Sequence, residues 1–404
     1  MKYLVPYIGK GSLFGKEEMR SIKKLLKSKA SLSCSTVRTD FEKMFAKFIG
    51  VKYAFALTNC TVALEFASYL SGIKEGDEVI ATCFSYQATI LPLLTKKLKI
   101  KFCDIETNSL GLDIECLQKL ITKNTKAIFL THYGGMIVKN IREIVELAHN
   151  YGALVIEDCA HTIGSTYEGQ KAGSFGDIGC FSFHSLKNIS TLGQGGMITF
   201  NNDNWAEIVQ KIRGTEPHAQ FYKCENVFGE HMLPVDEIER HAKNSYIENC
   251  KAIFYAGTNA TLNEPSCAVG IEQLKKVNDF NERRKQIGTK LNEEIGKLRG
   301  IRTQKVEAGY THTYHLYTFF LTIDAFDRDR FVNLLQQNGI QIVLRYFPLH
   351  LLPEWRMQGG YYGLCPKAEK IWFNSIVNLP CYPQLTNKQI DYMITTISKI
   401  INSI

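Results

Sequence analysis

Between residues 52 and 158 the chain alternates short, unbroken apolar runs with stretches of helical periodicity, and this alternation restricts the fold more than any other feature. The apolar runs are KYAFALT (52–58), EVIAT (78–82), IKFCDI (100–105), KAIFLTHY (126–133) and ALVIED (153–158). Between them lie the helix patterns TVALEFASYLSG (61–72), QATILPLLTKK (87–97, in spite of Pro92), DIECLQKLI (113–121, opened by Asp113) and IREIVELAHNY (141–151). Strands without polar alternation are buried on both faces, and strands separated by helices pair in parallel. The expectation is an α/β chain built on a mostly parallel, doubly wound sheet. IGCFSF and GMITF, on either side of Lys187, supply two further strands.

The pattern lapses between Arg213 and Leu262. Residues 214–262 are polar, contain one helix pattern (DEIERHAKNSYIENCKAIF) and lack the Gly, Ser and Pro bias of a linker. They read as an excursion from the first domain. Helical periodicity resumes as one long run over 266–298. A strand (TYHLYTFFLTI), a helix (RDRFVNLLQQNG), a strand (IQIVLRYF) and a last helix (NKQIDYMITTISKIINSI) follow. These predict a smaller C-terminal α+β domain at 263–404 behind a large domain at 1–262.

Composition narrows the class of function. A hydrophobic content of 45% and a charged content of 22% are ordinary for a globular chain. The formal net charge of +8 is spread out. Its densest run, 20-RSIKKLLKSK-29, reads as the solvated face of an amphipathic helix rather than a nucleic-acid stripe. A mild positive balance also suits small anionic substrates. No window approaches the roughly 18 apolar residues of a membrane span, and MKYLVPYIGKGSLFG lacks the apolar core of a secretion signal. The twelve cysteines include no CxxC pair, which argues against a zinc ribbon or a redox pair and fits thiols kept reduced in the cytoplasm.

Ligands of doubly wound sheets bind beyond the carboxyl ends of the strands, so the polar residues there are the candidates. After the first strand, Thr61 caps or opens a helix whose free N–H groups form an anion seat. After EVIAT comes Tyr86, able to lie against a planar ligand. Asp158 ends an apolar strand, and His161 follows it. Ser182 ends another strand, before Lys187 in FHSLKN. Taken singly, Thr61 is equally an ordinary cap, Tyr86 a core aromatic and Asp158–His161 a buried structural pair. Taken together, they form the set that pyridoxal 5'-phosphate requires: an anion seat for its phosphate, an aromatic wall, a carboxylate for its ring nitrogen and a lysine for its aldehyde. No GxGxxG or P-loop glycine run is present to favour a dinucleotide or NTPase reading.

The stretch VIEDCAHTIGSTYEGQKAGSFGDIGCFSFHSLKNISTLGQGG, with TNCTVALEFA, GDEVIATCFSYQAT, HYGG, LRYFPLH and NLPCYPQLT, resembles the DegT family of sugar aminotransferases, fold-type I pyridoxal-phosphate enzymes. The wording is nearest its dTDP-4-amino-4,6-dideoxygalactose transaminase branch. The resemblance implies Lys187 as the Schiff-base lysine, Asp158 as partner of the ring nitrogen and His161 beside the ring. It further implies Thr61, Ser182 and the backbone of Cys60 at the phosphate, and Tyr86 as the stacking aromatic. Asn259 in GTNAT is its candidate for a residue lent to the cofactor of a partner subunit. Tyr346 and His350 of LRYFPLH are candidate substrate contacts, structural packing being the other reading. A homodimer, L-glutamate as amino donor and a nucleotide-linked keto sugar as acceptor, most simply a 4-keto-6-deoxy sugar, follow as expectations. A 3-keto sugar, a cyclitol, or a regulatory protein that binds the cofactor without turnover are the alternatives. Sugar dehydration is disfavoured, because the family's dehydratases carry His where this chain has Lys187.

Overall fold

The computed structural model describes residues 3–214, 257–322 and 327–403. By internal contacts the chain divides into one unit of residues 1–201 with 262–404 and a second of residues 202–261.

In the first unit, seven strands form one sheet: β1 (Tyr53–Leu57), β2 (Glu78–Thr82), β3 (Lys99–Cys103), β4 (Thr125–Thr131), β5 (Leu154–Asp158), β8 (Ile178–Ser182) and β9 (Gly196–Phe200). A two-stranded ribbon, β6 (Thr166–Tyr167) with β7 (Gln170–Lys171), intervenes. The spatial order is β1-β9-β8-β5-β4-β2-β3. The run from β3 to β8 is parallel, whereas β9 pairs antiparallel with both β8 and β1. The carboxyl ends of β1, β2, β5 and β8 therefore emerge on one edge, where the candidate residues had been sought.

Helices α2 (Thr36–Ile49), α4 (Ile114–Leu120) and α5 (Ile141–Asn150) share a continuous apolar core with the sheet through Phe41, Phe45, Leu117, Ile144, Ile128 and Val155. Helix α3 (Cys60–Leu70) packs on β8 and β9. A second core surrounds the antiparallel sheet β10 (Ile301–Thr303), β11 (Tyr317–Leu321) and β12 (Ile376–Leu379), filled by Phe319, Phe331, Leu335, Val377 and Ile397.

Four local expectations need correction. Residues 87–97 form two short 3-10 turns, Gln87–Thr89 and Leu91–Leu93, because Pro92 offers no N–H to an α-helical ladder. The run 266–298 is two helices, Glu264–Lys275 and Val277–Ile295, broken at Lys276 (φ −98°, ψ −3°). IQIVLRYF forms no strand. Its amides go elsewhere: Gln341 N–H to Val5 O, Arg345 N–H to the Asn378 side chain, and Leu349 N–H just beyond it to Cys83 O. The cap of α3 is Asn59, whose Oδ1 accepts from Val62 N–H at 3.0 Å, with Thr61 inside the first turn. The helix expected over DEIERHAKNSYIENCKAIF lies outside the described residues.

In the second unit, helix α6 (Asp203–Ile212) is capped by Asn202, which accepts from Trp205 N–H at 3.1 Å. Thr258 N–H and Ala260 N–H return to the carbonyls of Ile212 and Arg213. Asn259 between them has φ +50°.

Candidate active site

A cavity of about 570 Å³ opens at the carboxyl edge of the large sheet. Cys60, Thr61, Tyr86, Asp158, His161, Ser182, Lys187 and Tyr346, all named from sequence, line it. Asn259 belongs to the second unit. His350 departs from expectation: it is wholly buried, away from the cavity lining, with Nε2 bonded to Glu369 Oε1 at 2.8 Å. Burial against a carboxylate removes it from contact with a substrate.

The anion seat is the start of α3. Asn59 occupies the Val62 N–H, which leaves the first N–H groups of the helix facing the cavity. Thr61 and Ser182 line the same cavity. β9 reaches this helix end only because residue 196 is glycine: a Cβ there would lie 2.3 Å from the Asn59 carbonyl carbon and 2.7 Å from Cys60 N. The Cys60 thiol is pushed up well above the usual range by burial, so it stays neutral and does not compete with an anion.

Asp158 is 5% exposed and fixed at both oxygens. Oδ1 accepts from Ala160 N–H at 3.0 Å, and Oδ2 accepts from Thr89 Oγ1 at 2.6 Å. Thr89 in turn contacts Ser85 Oγ at 2.7 Å, which accepts from Thr131 Oγ1 at 2.9 Å. This hydroxyl chain lies behind the carboxylate. The neighbouring Glu157 points to the other side of β5. It accepts from Gly173, Phe175 and Gly176 N–H and meets His132 Nε2 at 2.8 Å. Consecutive residues of one strand thus divide between framework and site.

Lys187 sits in the turn after β8. Its N–H bonds to His184 O at 2.8 Å. Gly11 N–H donates to Ser185 O at 2.7 Å, and Arg284 Nη2 donates to Gly11 O at 2.7 Å, so the N-terminal stretch straps this turn. A side chain at residue 11 would put its Cβ 2.2 Å from Leu186 O. The adjacent Asn188 bonds through Nδ2 to Asn281 Oδ1 at 2.9 Å and faces His315 Nδ1 at 3.1 Å. Burial lowers the pKa of Lys187 to about 8 against the opposing pull of Asp158. An appreciable fraction of the amine is therefore neutral, the form that attacks an aldehyde or accepts a proton.

His161, together with residues that sequence reasoning passed over, completes the walls. His161 Nδ1 accepts from Gly134 N–H at 3.3 Å, which places the ring proton on Nε2, 3.3 Å from Tyr346 Oη. Burial and the nearby Lys187 and Arg345 charges hold His161 neutral. His315 stacks on it with ring centroids 4.3 Å apart. Arg345 lines the cavity, and its Nε has no hydrogen-bond partner. His184 and Gln194, which also line the cavity, belong to the FHSLKN and LGQGG stretches, and Arg345 stands beside Tyr346 in LRYFPLH. His315 carried no local signal, because it arrives from the end of the chain before β11.

The residues present fit pyridoxal phosphate. A helix-end anion seat, a fixed carboxylate and a partly neutral lysine share one cavity of suitable size. The model of the DegT/DnrJ/EryC1/StrS aminotransferase family matches residues 13–398. A GDP-perosamine synthase of Escherichia coli O157:H7 is 31% identical over 99% of this chain and 99% of its own. A UDP-4-amino-4,6-dideoxy-N-acetyl-beta-L-altrosamine transaminase of Campylobacter jejuni is 29% identical over 90% of each chain. Among solved structures, an aminotransferase from Psychrobacter cryohalolentis superposes with a TM-score of 0.84 at 24% identity, covering 99% of this chain and 100% of that one. The chain belongs to the DegT/DnrJ/EryC1/StrS aminotransferase family and is a pyridoxal-phosphate-dependent sugar aminotransferase.

Proposed function

We propose that this chain moves an amino group from L-glutamate to the 4-keto carbon of a nucleotide-linked 6-deoxy sugar, working as a cytoplasmic homodimer. The observation that carries the reading is the placement of Lys187, with its lowered pKa, in one cavity with the doubly fixed Asp158. The cofactor, when bound, supplies an electron sink for the carbon that loses or gains the amino group.

The chain's own residues supply the rest. The first N–H groups of α3 with the Thr61 and Ser182 hydroxyls hold the phosphate. Asp158, oriented by Thr89 and Ala160, would pair with the ring nitrogen. Tyr86 and His161 bound the ring. Lys187 Nζ would take a proton from the α-carbon of the donor and deliver it, within the same half-reaction, to the carbon that carried the lysine's own bond, and would run the same transfer in reverse with the sugar. General acid–base transfer of this kind contributes about 10²–10⁴-fold in rate. Arg345 offers a permanent cation, with an unpaired Nε, for a carboxylate of the donor. The 4-amino-4,6-dideoxy pattern in the name of the Campylobacter relative supports the choice of acceptor. The excursion at 214–262 and Asn259 are assigned to acceptor selection and to the dimer, respectively.

The test presents the glutamate-treated, cofactor-loaded protein with a panel of 3-keto and 4-keto sugars carrying GDP, UDP or dTDP, and detects amine product by mass. Release of 2-oxoglutarate and an amine at C4 of a 6-deoxy sugar are expected. Product only from 3-keto sugars or cyclitols would overturn the acceptor assignment, and absence of 2-oxoglutarate the donor. Light scattering on the eluting protein checks the dimer.

A further inference from the structure

We propose that Cys83, His350 and Cys365 form a binding site for a thiophilic divalent cation of the Zn²⁺ class, set behind the catalytic cavity. The three residues come from separate parts of the first unit. Cys83 follows β2, His350 lies in the turn Leu349–Leu351, and Cys365 precedes the helix Pro366–Asn374. All three are wholly buried, and their donor atoms lie within 4.8 Å of one another. Tetrahedral Zn²⁺ with Zn–S near 2.3 Å and Zn–N near 2.1 Å sets its donors roughly 3.4–3.8 Å apart. A small contraction of side chains reaches that spacing.

The histidine is the second, independent observation. Its Nε2 meets Glu369 Oε1 at 2.8 Å. That carboxylate also accepts from Gly363 N–H at 2.8 Å and Cys365 N–H at 3.2 Å, so it acts as an acceptor, and His350 Nε2 must carry the proton. The lone pair then sits on Nδ1. This atom is buried and has no hydrogen bond of acceptable geometry. An imidazole held by a carboxylate on one nitrogen, with no hydrogen bond of good geometry on the other and the Cys365 thiol close enough to interact with the ring, is the arrangement of a metal-ligating histidine.

The fold contains its own control. His132, Glu157 and Cys159 also cluster, but there both ring nitrogens are engaged: Nε2 with Glu157, and Nδ1 accepting from Val138 N–H at 3.1 Å. No donor atom of that histidine is left over. Of these two clusters among the described residues, the Cys83 cluster alone has a ring nitrogen without a hydrogen bond of good geometry.

Ligand chemistry selects the ion. Two thiolates and a neutral imidazole balance a divalent charge, and sulfur donors disfavour Mg²⁺ and Ca²⁺, which take oxygen. Binding releases the two thiol protons to solvent. The site has a structural consequence. Cys83 begins the segment that carries Ser85, Tyr86 and Thr89, and its carbonyl already accepts from Leu349 N–H at 2.8 Å. An ion here ties the loop under Asp158 to the segment bearing Arg345 and Tyr346.

The experiment uses the full-length, cofactor-loaded chain, purified under reducing conditions, stripped with a chelator and desalted. Zn²⁺ is added and retained metal measured by elemental analysis; Co²⁺ serves as the optical probe. One equivalent of Zn²⁺ per chain, and a sulfur-to-cobalt charge-transfer band that weakens in Cys83→Ser and in Cys365→Ser, are expected. Glu369→Gln should weaken Zn²⁺ binding about 10–100-fold. Retention well below one equivalent in the unmodified protein overturns the proposal without reference to any variant. Undiminished binding in both cysteine variants also overturns it. A Cys83–Cys365 disulfide, found by mass spectrometry in protein purified without reductant and blocking Zn²⁺ uptake until reduced, leaves the site in place. The same disulfide persisting under reducing conditions overturns it.

Discussion

Thr89 donates a hydrogen bond of 2.6 Å to Asp158 Oδ2, across 69 residues of sequence. The carboxylate proposed to face the cofactor ring is therefore held by a hydroxyl on a short turn after β2. A hydrogen bond to a charged group contributes about 1.5–3 kcal/mol. Thr89→Val should lower kcat/KM by about 10–100-fold while circular dichroism stays unchanged. Full activity in that variant would show that Ala160 N–H alone suffices.

Lys187→Ala should abolish turnover, because no other amine lines the cavity among the described residues. The pH dependence follows from burial of this amine. With its pKa at about 8 in the fold and 10.5 unperturbed, the folded chain binds fewer protons than the unfolded chain between those values. Stability of the cofactor-free protein should therefore gain a rising contribution as pH climbs from about 8 to 10.5, and this contribution should be absent in Lys187→Met. The rate of cofactor capture should rise as pH climbs toward about 8 and level off above it. Stopped-flow absorbance and thermal melts across that range check both.

Arg345→Gln should raise KM for glutamate by about tenfold or more, as expected when a charged hydrogen bond is lost, with a smaller effect on the acceptor half-reaction. Arg345→Lys should restore little, since an ammonium lacks the planar fork of the guanidinium. Steady-state kinetics with each substrate varied in turn distinguishes this role from general collapse.

Glu157→Ala should act on stability and not on chemistry. It orphans the Gly173, Phe175 and Gly176 N–H groups and the His132 ring. At about 1–3 kcal/mol for each unmet donor, a loss of at least about 3 kcal/mol in denaturant titration is expected.

Gly196→Ala should impair cofactor binding through the backbone. The added methyl meets the Asn59 carbonyl carbon at 2.3 Å, so the start of α3 must move. Equilibrium dialysis of pyridoxal phosphate should show weakened retention, while the three-stranded sheet and its core remain intact.

Much of this site could be read along the sequence because its parts stand at strand ends. Asp158 and Ser182 close β5 and β8, Thr61 lies in the first turn of the helix after β1, and Lys187 follows β8 after a short turn. Strand periodicity locates such residues without knowledge of long-range contacts. The losses have equally physical causes. His315 and Arg345 reach the cavity from segments after residue 300, where no local period marks an inward side chain. IQIVLRYF has β-branched residues and aromatics but no neighbour strand to receive its amides, which Val5 and Asn378 occupy in part. His350 shares a motif with Tyr346, yet the turn at 349–351 directs it to Glu369. Direction within a turn is decided by packing, which residue spacing does not encode.

The cavity draws on residues from 59 to 346, and the strap on Lys187 includes Arg284. During synthesis the amine at position 187 leaves the ribosome 159 residues before Tyr346 does (346 − 187). At about 5–20 residues per second this is roughly 8–32 s. For that interval the amine lacks the far wall of the pocket, and with it part of the burial that lowers its pKa, so position 187 remains an ordinary, protonated lysine until the last third of the chain closes over it.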